Sequence, residues 1–303
     1  MKCLITGGNG FIGSHLVDKL IKERNKVIVI DNLSAECNEK FYFNDKAENH
    51  KLDICDAESI DPLFDGVDYV FHLAAESRIQ PAILNPSLAA SVNVVGTTNV
   101  LQSARKHNVK RVIYSATSSG YGLKNKPPLK ETMQNDCLNP YSVTKCAGEE
   151  MCKMYSTLFG LETVILRYFN VYGERSPLKG HYAPVIGLFL KQHFSQKKMT
   201  IVGDGLQKRD FTHVQDVVEA NLLAAAAISG VSGELFNVGS GTNISILDIA
   251  KHISEDFIFI DERPGEARET LADITKIKNN LGWHPSIDVL DWVSAVLSGD
   301  ENY

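Results

Sequence analysis

Tyr141 and Lys145 stand four residues apart, and residues at that spacing share one face of a helix. The Lys145 ammonium then lies near the Tyr141 phenol, favours the phenolate and lowers its pKa. A phenol tuned in this way takes a proton from a hydroxyl group. The chain also opens with Thr6-Gly7-Gly8-Asn9-Gly10-Phe11-Ile12-Gly13. A glycine turn of this kind lets the backbone approach a pyrophosphate, whose charge the following helix N-terminus attracts. A phenol that removes a proton and a dinucleotide that accepts a hydride together oxidise an alcohol.

These groups need elements to hold them. Lys2 to Thr6 is a short apolar run, read as a first strand, and Phe11, Ile12, Leu16, Leu20 and Ile21 follow at helical spacing. Strand, glycine turn and helix are the context the dinucleotide fingerprint requires. Val27 to Ile30 is a second strand with Asp31 at its carboxyl end. An acid there accepts hydrogen bonds from the adenosine ribose and repels a 2′-phosphate. No Lys or Arg lies between Asp31 and Glu39, so NAD is expected over NADP.

The alternation continues. Lys51 to Ile54 ends a third strand, Val67 to Leu73 is a fourth, Pro86 to His107 a long helix, and Val109 to Ser115 a fifth strand. Tyr141 to Phe159 is a helix and Glu162 to Tyr168 a sixth strand. Such a pattern predicts an α/β fold, a doubly wound parallel sheet of the Rossmann type with helices on both faces. From about Gly173 the pattern becomes irregular, with short strands at Met199 to Val202 and Phe257 to Ile260. The expected organisation is an NAD-binding domain over 1–172, to which 213–237 returns. A smaller, partly interleaved α/β substrate-binding region spans 173–212 and 238–303.

Composition excludes several classes. With 44% hydrophobic and 22% charged residues over 303, the chain is an ordinary globular protein. A net charge of -6 gives no general attraction for nucleic acid or anionic membranes. The cysteines at 3, 37, 55, 137, 146 and 152 form no Cys-x-x-Cys pair and no Cys/His cluster with metal spacing. Scattered free thiols fit a reducing cytosol. No leader-like apolar segment and no long apolar run is present, so the expected location is cytoplasmic, away from membranes.

Together with the glycine turn, Asp31, Tyr141 and Lys145, further motifs make the chain resemble the extended short-chain dehydrogenase/reductase family. Within it the likeness is to nucleotide-sugar epimerases and dehydratases. His72-Leu73-Ala74-Ala75, Asn93-Val94-Val95-Gly96-Thr97, Arg167-Tyr168-Phe169-Asn170-Val171-Tyr172-Gly173 and Arg209-Asp210-Phe211-Thr212-His213 carry it, as does Arg263-Pro264-Gly265-Glu266 before Leu271-Ala272-Asp273. The resemblance runs nearly end to end.

It implies a role for each matching residue. In Ser115-Ala116-Thr117-Ser118-Ser119-Gly120-Tyr121-Gly122, Thr117 resembles the catalytic Ser/Thr that relays a proton to Tyr141. Gly7, Gly10, Phe11, Ile12 and Gly13 resemble the pyrophosphate turn. Asp31 and Asn32 hold the ribose, Asp53 and Ile54 flank the adenine, and Leu73, Ala74 and Ala75 line the cofactor cleft. Asn93 and Tyr168 carry over as cofactor contacts beside Tyr141 and Lys145. Asn170, Arg209 and Arg263 resemble the diphosphate clamp, since an arginine fork meets phosphate oxygens bidentately. Glu266 resembles the acid on the uridine ribose. Thr270 stands where a Tyr restricts relatives to unmodified hexose.

Related dehydratases place Asp-Glu after this Thr; here Ser118 and Ser119 stand there. The implied function is therefore NAD-dependent C4 epimerisation of a UDP-sugar, UDP-GlcNAc/UDP-GalNAc or UDP-glucose/UDP-galactose. The enzymatic alternative is a nucleotide-sugar 4,6-dehydratase or a UDP-glucuronate-type epimerase/decarboxylase of the same family. A non-catalytic NAD-binding sensor is the alternative from outside enzymology. Relatives form homodimers through helices corresponding to 86–107 and 141–159. One departure stands out: Gly120 replaces a Val, either loosening the loop or accommodating a close contact.

Overall fold

The computed structural model describes residues 1–35, 37–178, 184–262 and 267–300. Strands β1 (Lys2–Thr6), β2 (Lys26–Ile30), β3 (Glu48–His50), β4 (Tyr69–His72), β5 (Arg111–Thr117) and β6 (Glu162–Tyr168) share one sheet with strand Glu234–Val238. Their order is Glu234–Val238, β6, β5, β4, β1, β2, β3, and every pairing is parallel. The winding reverses between β1 and β4, whose last residues, Thr6 and His72, are register partners. In a doubly wound sheet the ligand crevice opens beyond the carboxyl ends of such a pair.

Successive side chains point to opposite faces of a strand. Cys3, Ile5, Val27, Val29, Phe71 and Ile113 therefore fill one core with Leu16 and Leu20 of helix α1 (Phe11–Lys22) and Val217 and Val218 of helix Val214–Ala226. Leu4, Ile28, Val70, Val112 and Ile165 fill the other with Val100 and Leu101 of helix Thr97–Lys106 and Cys152 and Tyr155 of helix Pro140–Phe159. Burial on both faces explains why these strands read as nearly continuous apolar runs. A third core, built on Phe189, Ile201, Phe211, Ile249 and Trp292, is formed by segments from Tyr172 onward. There strands Met199–Val202 and Phe257–Ile260 pair in parallel. Among the described residues no helix is long and apolar enough to cross a membrane.

Three elements differ from the sequence expectation. The third strand stops at His50, because the Asp53 carboxylate takes the Cys55 amide (2.8 Å) and the Asn32 side chain (2.9 Å) and turns the chain away. The long helix is interrupted: Pro86–Ala90 and Thr97–Lys106 flank a π-helical stretch, Ser91–Gly96, at the point where Asn93 turns inward. Short π-helical turns inside an α-helix occur frequently at functional sites. The fifth strand runs on to Thr117, which pairs with Tyr168, so the hydroxyl is held at a strand end rather than in a loop.

Helix Pro140–Phe159 carries the Tyr-Lys pair and is tied down at two points. Asn139 caps it by accepting from the Ser142 amide (2.9 Å), with Pro140 in the first turn. Farther along, Glu149 takes two hydrogen bonds from Arg167 of β6, at 2.7 and 2.6 Å, and both side chains are buried. A paired fork of this kind fixes the angle of the helix on the sheet.

Candidate active site

The glycine turn is shaped by contact. Gly7 has φ +71°, and a Cβ there would lie 2.7 Å from the Ala74 amide nitrogen, so β1 and β4 leave the sheet nearly touching. A Cβ on Gly13 would lie 2.1 Å from the Gly7 carbonyl oxygen, which brings the start of α1 onto the turn. Gly10 caps α1 without a side-chain hydrogen bond, so the first amides are left for a phosphate. Asp31 is buried beside them, accepting from the amides of Asn9 (3.0 Å) and Leu33 (2.9 Å). Burial pushes its carboxyl pKa up, and those two amides pull it back. The donor set and the crowded turn fit the pyrophosphate and ribose of a dinucleotide. We expect Gly13→Ala to weaken NAD binding by about 10- to 100-fold, because the clash is with backbone and overpacking of this kind costs about 1–3 kcal/mol. Nucleotide released on denaturing the purified variant measures it; wild-type content would count against this view of the turn.

From this turn a cleft of about 810 Å³ runs to Arg209, Phe211 and Thr270. Gly7, Gly10, Phe11, Ile12, Gly13, Asp31, Asn32, Ile54, Leu73, Ala74 and Ala75 line one end. Thr117, Tyr141, Lys145 and Tyr168 stand in the middle, and Asn170, Arg209 and Thr270 at the far side. Two predicted cofactor contacts, Asn93 and Asp53, are held by hydrogen bonds within the protein. Asn93 is fully buried behind the wall, accepting from the Glu76 amide (2.8 Å) and donating to the Glu76 carbonyl (3.0 Å) and Thr144 Oγ1 (3.0 Å). It braces the Tyr-Lys helix instead of facing the cleft. Asp53 turns its carboxylate to Asn32 and Cys55 and leaves the lining to Leu52 and Ile54. Arg263 and Glu266 lie outside the described residues. Arg268 is spent on a surface ion pair with Asp204 at 2.6 Å.

Thr117 Oγ1 accepts the Ser119 amide at 3.1 Å, and its hydroxyl retains its own proton to donate. Tyr141 is half-buried, and its phenol departs from expectation: burial raises its pKa, opposed by a hydrogen bond with Thr117. Lys145 is nearly inaccessible, and burial lowers its pKa to about 8. Behind it, His72 bridges Thr6 Oγ1 (2.7 Å) and Thr97 Oγ1 (2.9 Å), and burial, then the Lys145 charge, push its pKa down to about 3. It is a neutral scaffold residue.

On the substrate side, Asn170 Nδ2 donates to the Asp210 carbonyl (2.7 Å), and Thr270 Oγ1 accepts from the Asp210 amide (3.3 Å). The buried Asp210 carboxylate gathers the amides of Ser240, Gly241 and Ala272, so one residue joins three loops beneath this wall. Sequence reasoning passed over Ser77, Arg78, Gln207 and Phe211, which also line the cleft. Their signal was position: the first two follow β4 at its carboxyl end, and the others sit in the Gly205 to Asp216 segment.

Gly120 is explained by contact. A Cβ there would lie 2.6 Å from Cys146 Sγ, next to Lys145 on the helix. We expect Gly120→Val to cost about 1–3 kcal/mol of stability by overpacking, and the Gly120→Val/Cys146→Ala pair to recover most of it. Melting of the two variants decides; no recovery in the double variant would reject the contact as the reason.

A family model described as the NAD dependent epimerase/dehydratase family matches residues 3–239. The chain belongs to that family. It is 38% identical to a putative UDP-glucose 4-epimerase of Methanocaldococcus jannaschii over 307 residues, covering 99% of this chain and 98% of the relative. Among solved structures, a UDP-glucose 4-epimerase of Thermotoga maritima with UDP-glucose superposes with a TM-score of 0.92 at 33% identity, covering 98% of both chains. A UDP-N-acetylglucosamine 4-epimerase of Methanobrevibacter ruminantium in complex with UDP-N-acetylmuramic acid gives 0.91 at 32%, covering 98% of this chain and 97% of that one.

Proposed function

We propose that the chain is an NAD-dependent UDP-sugar 4-epimerase working through a transient 4-keto sugar. The observation that carries this is the cleft's middle. Tyr141, Thr117 and Lys145 meet there, while the carboxylates lining the described cleft are Asp31, at the ribose end, and Glu269, bonded to Asn243 at 2.8 Å. Ser118 and Ser119 offer no acid strong enough to expel a C6 hydroxyl, so elimination is poorly served. Bound NAD supplies a hydride acceptor that also serves as the donor on return. Tyr141 takes the sugar O4 proton, with Thr117 bridging to that oxygen, and later gives it back. Lys145 favours the phenolate. Asn170, Arg209 and Arg263 hold the diphosphate while the keto sugar turns its other face.

Thr270 is small and already bonded to Asn170 and Asp210, which leaves room for a 2-acetamido group. UDP-GlcNAc/UDP-GalNAc is the preferred pair, beside UDP-glucose/UDP-galactose. Exposed apolar side chains on the helices around Leu84, Leu88, Val95, Val143 and Leu158 support a homodimer, and six free cysteines support a cytoplasmic location. The test is a product assay without added cofactor, with UDP-N-acetylglucosamine and UDP-glucose in separate reactions and C4 epimers resolved by proton NMR. Epimers from either establish the reaction, with the faster sugar testing Thr270. A 4-keto-6-deoxy product would overturn it.

A further inference from the structure

Lys145 carries its charge in an unusual setting. Among the described residues its ammonium makes no ion pair, although it is only 3% exposed. What it meets is a ring: Nζ lies 4.3 Å from the ring centroid of Tyr114, on β5. A cation over an aromatic face at that distance is attracted by the ring quadrupole, most strongly where water is excluded. Tyr114 is fully buried, and its hydroxyl donates to the Lys145 carbonyl at 3.1 Å, so ring and lysine backbone are fixed to each other. The helix makes room for this: a Cβ on Gly148 would lie 2.2 Å from the Tyr114 hydroxyl oxygen. The other groups around the ammonium are Cys146, Glu149 and Cys152 on its own helix and neutral His72 on β4.

We propose that Tyr114 is a positioning residue for the reaction, its ring face seating the Lys145 ammonium so that the charge stays beside Tyr141 without being neutralised by a carboxylate. A carboxylate in that place would hold the lysine equally well but cancel the field that the phenol needs. The ring holds the cation without an ion pair, and the nearby Glu149 carboxylate is taken up by Arg167. The inference rests on the assignment of Lys145 given above.

The test replaces Tyr114 by phenylalanine and then by 4-fluoro-, 3,5-difluoro- and 3,4,5-trifluorophenylalanine. Fluorine withdraws charge from the ring face while nearly preserving its shape, so the fold is retained, and melting of each variant checks that. Relative to the Tyr114→Phe reference, kcat for epimerisation falls stepwise, reaching about tenfold at three fluorines. KM for the UDP-sugar stays constant, and the limb of kcat that rises with pH moves to higher pH. A flat series in folded protein overturns the proposal, provided Lys145→Ala in parallel loses turnover. Retained turnover in Lys145→Ala would instead remove the role of the lysine itself, and the proposal with it.

Discussion

Tyr141→Phe lowers kcat by about 10³-fold, within the range that loss of a positioned acid–base group produces. The substitution keeps the ring and removes one oxygen, so packing on helix Pro140–Phe159 is conserved. No described neighbour replaces the lost function. Thr117 accepts from the Ser119 amide and is a hydroxyl of high pKa, and Lys145 is cationic below about pH 8. The proposed diphosphate anchors Asn170 and Arg209 stand on other elements, so KM is expected to change little. Burial raises the phenol's pKa and the Thr117 hydrogen bond opposes that; in the proposed mechanism the Lys145 charge lowers it further. Initial rates by proton NMR, with retained NAD measured on the same sample, decide. Turnover within tenfold of wild type would remove Tyr141 from the chemistry.

How much of this was readable in the sequence follows from the range of each interaction. Alternating apolar runs gave the sheet strands because burial on two faces is a local demand on composition. The glycine turn was legible because its constraint is backbone space within a few residues: Gly13 against the Gly7 carbonyl is a contact inside the motif. The packing of Asn93 could not be read from the chain because its partners, Glu76 and Thr144, lie 17 and 51 residues away. Its motif marked a conspicuous residue, but only the folded chain shows which way the amide points. The upward shift of Tyr141 has the same origin. A Tyr-x-x-x-Lys spacing announces the neighbouring charge, whereas the burial that opposes it comes from residues gathered across the sheet. Gly120 and Cys146, 26 positions apart in number, could not be paired from the chain alone.

Lys145→Met abolishes most turnover and yet makes the protein more stable. The ammonium is nearly inaccessible, and burial depresses its pKa from 10.5 to about 8. Between those values the unfolded chain binds more protons than the folded one, so the stability of the wild type rises as pH climbs from about 8 to about 10.5. Below about pH 8 the full cost of holding the charge is present, on the order of 3 kcal/mol, with the Tyr114 ring offsetting part of the desolvation. Methionine has a similar stem and fills the space with no charge to desolvate. At pH 7 the variant is therefore expected to be about 1–3 kcal/mol more stable, while kcat falls by about 10²-fold or more because the phenolate loses its counter-charge. Denaturant titrations of both proteins without added nucleotide, at pH 7 and pH 10, provide the check. The stability gap should shrink as pH rises through this window. A variant less stable than wild type at pH 7, or a gap that widens with pH, would mean that the lysine is held by something stronger than an aromatic face. A gain in stability bought by loss of turnover would mark this charge as a strain the fold carries for the reaction.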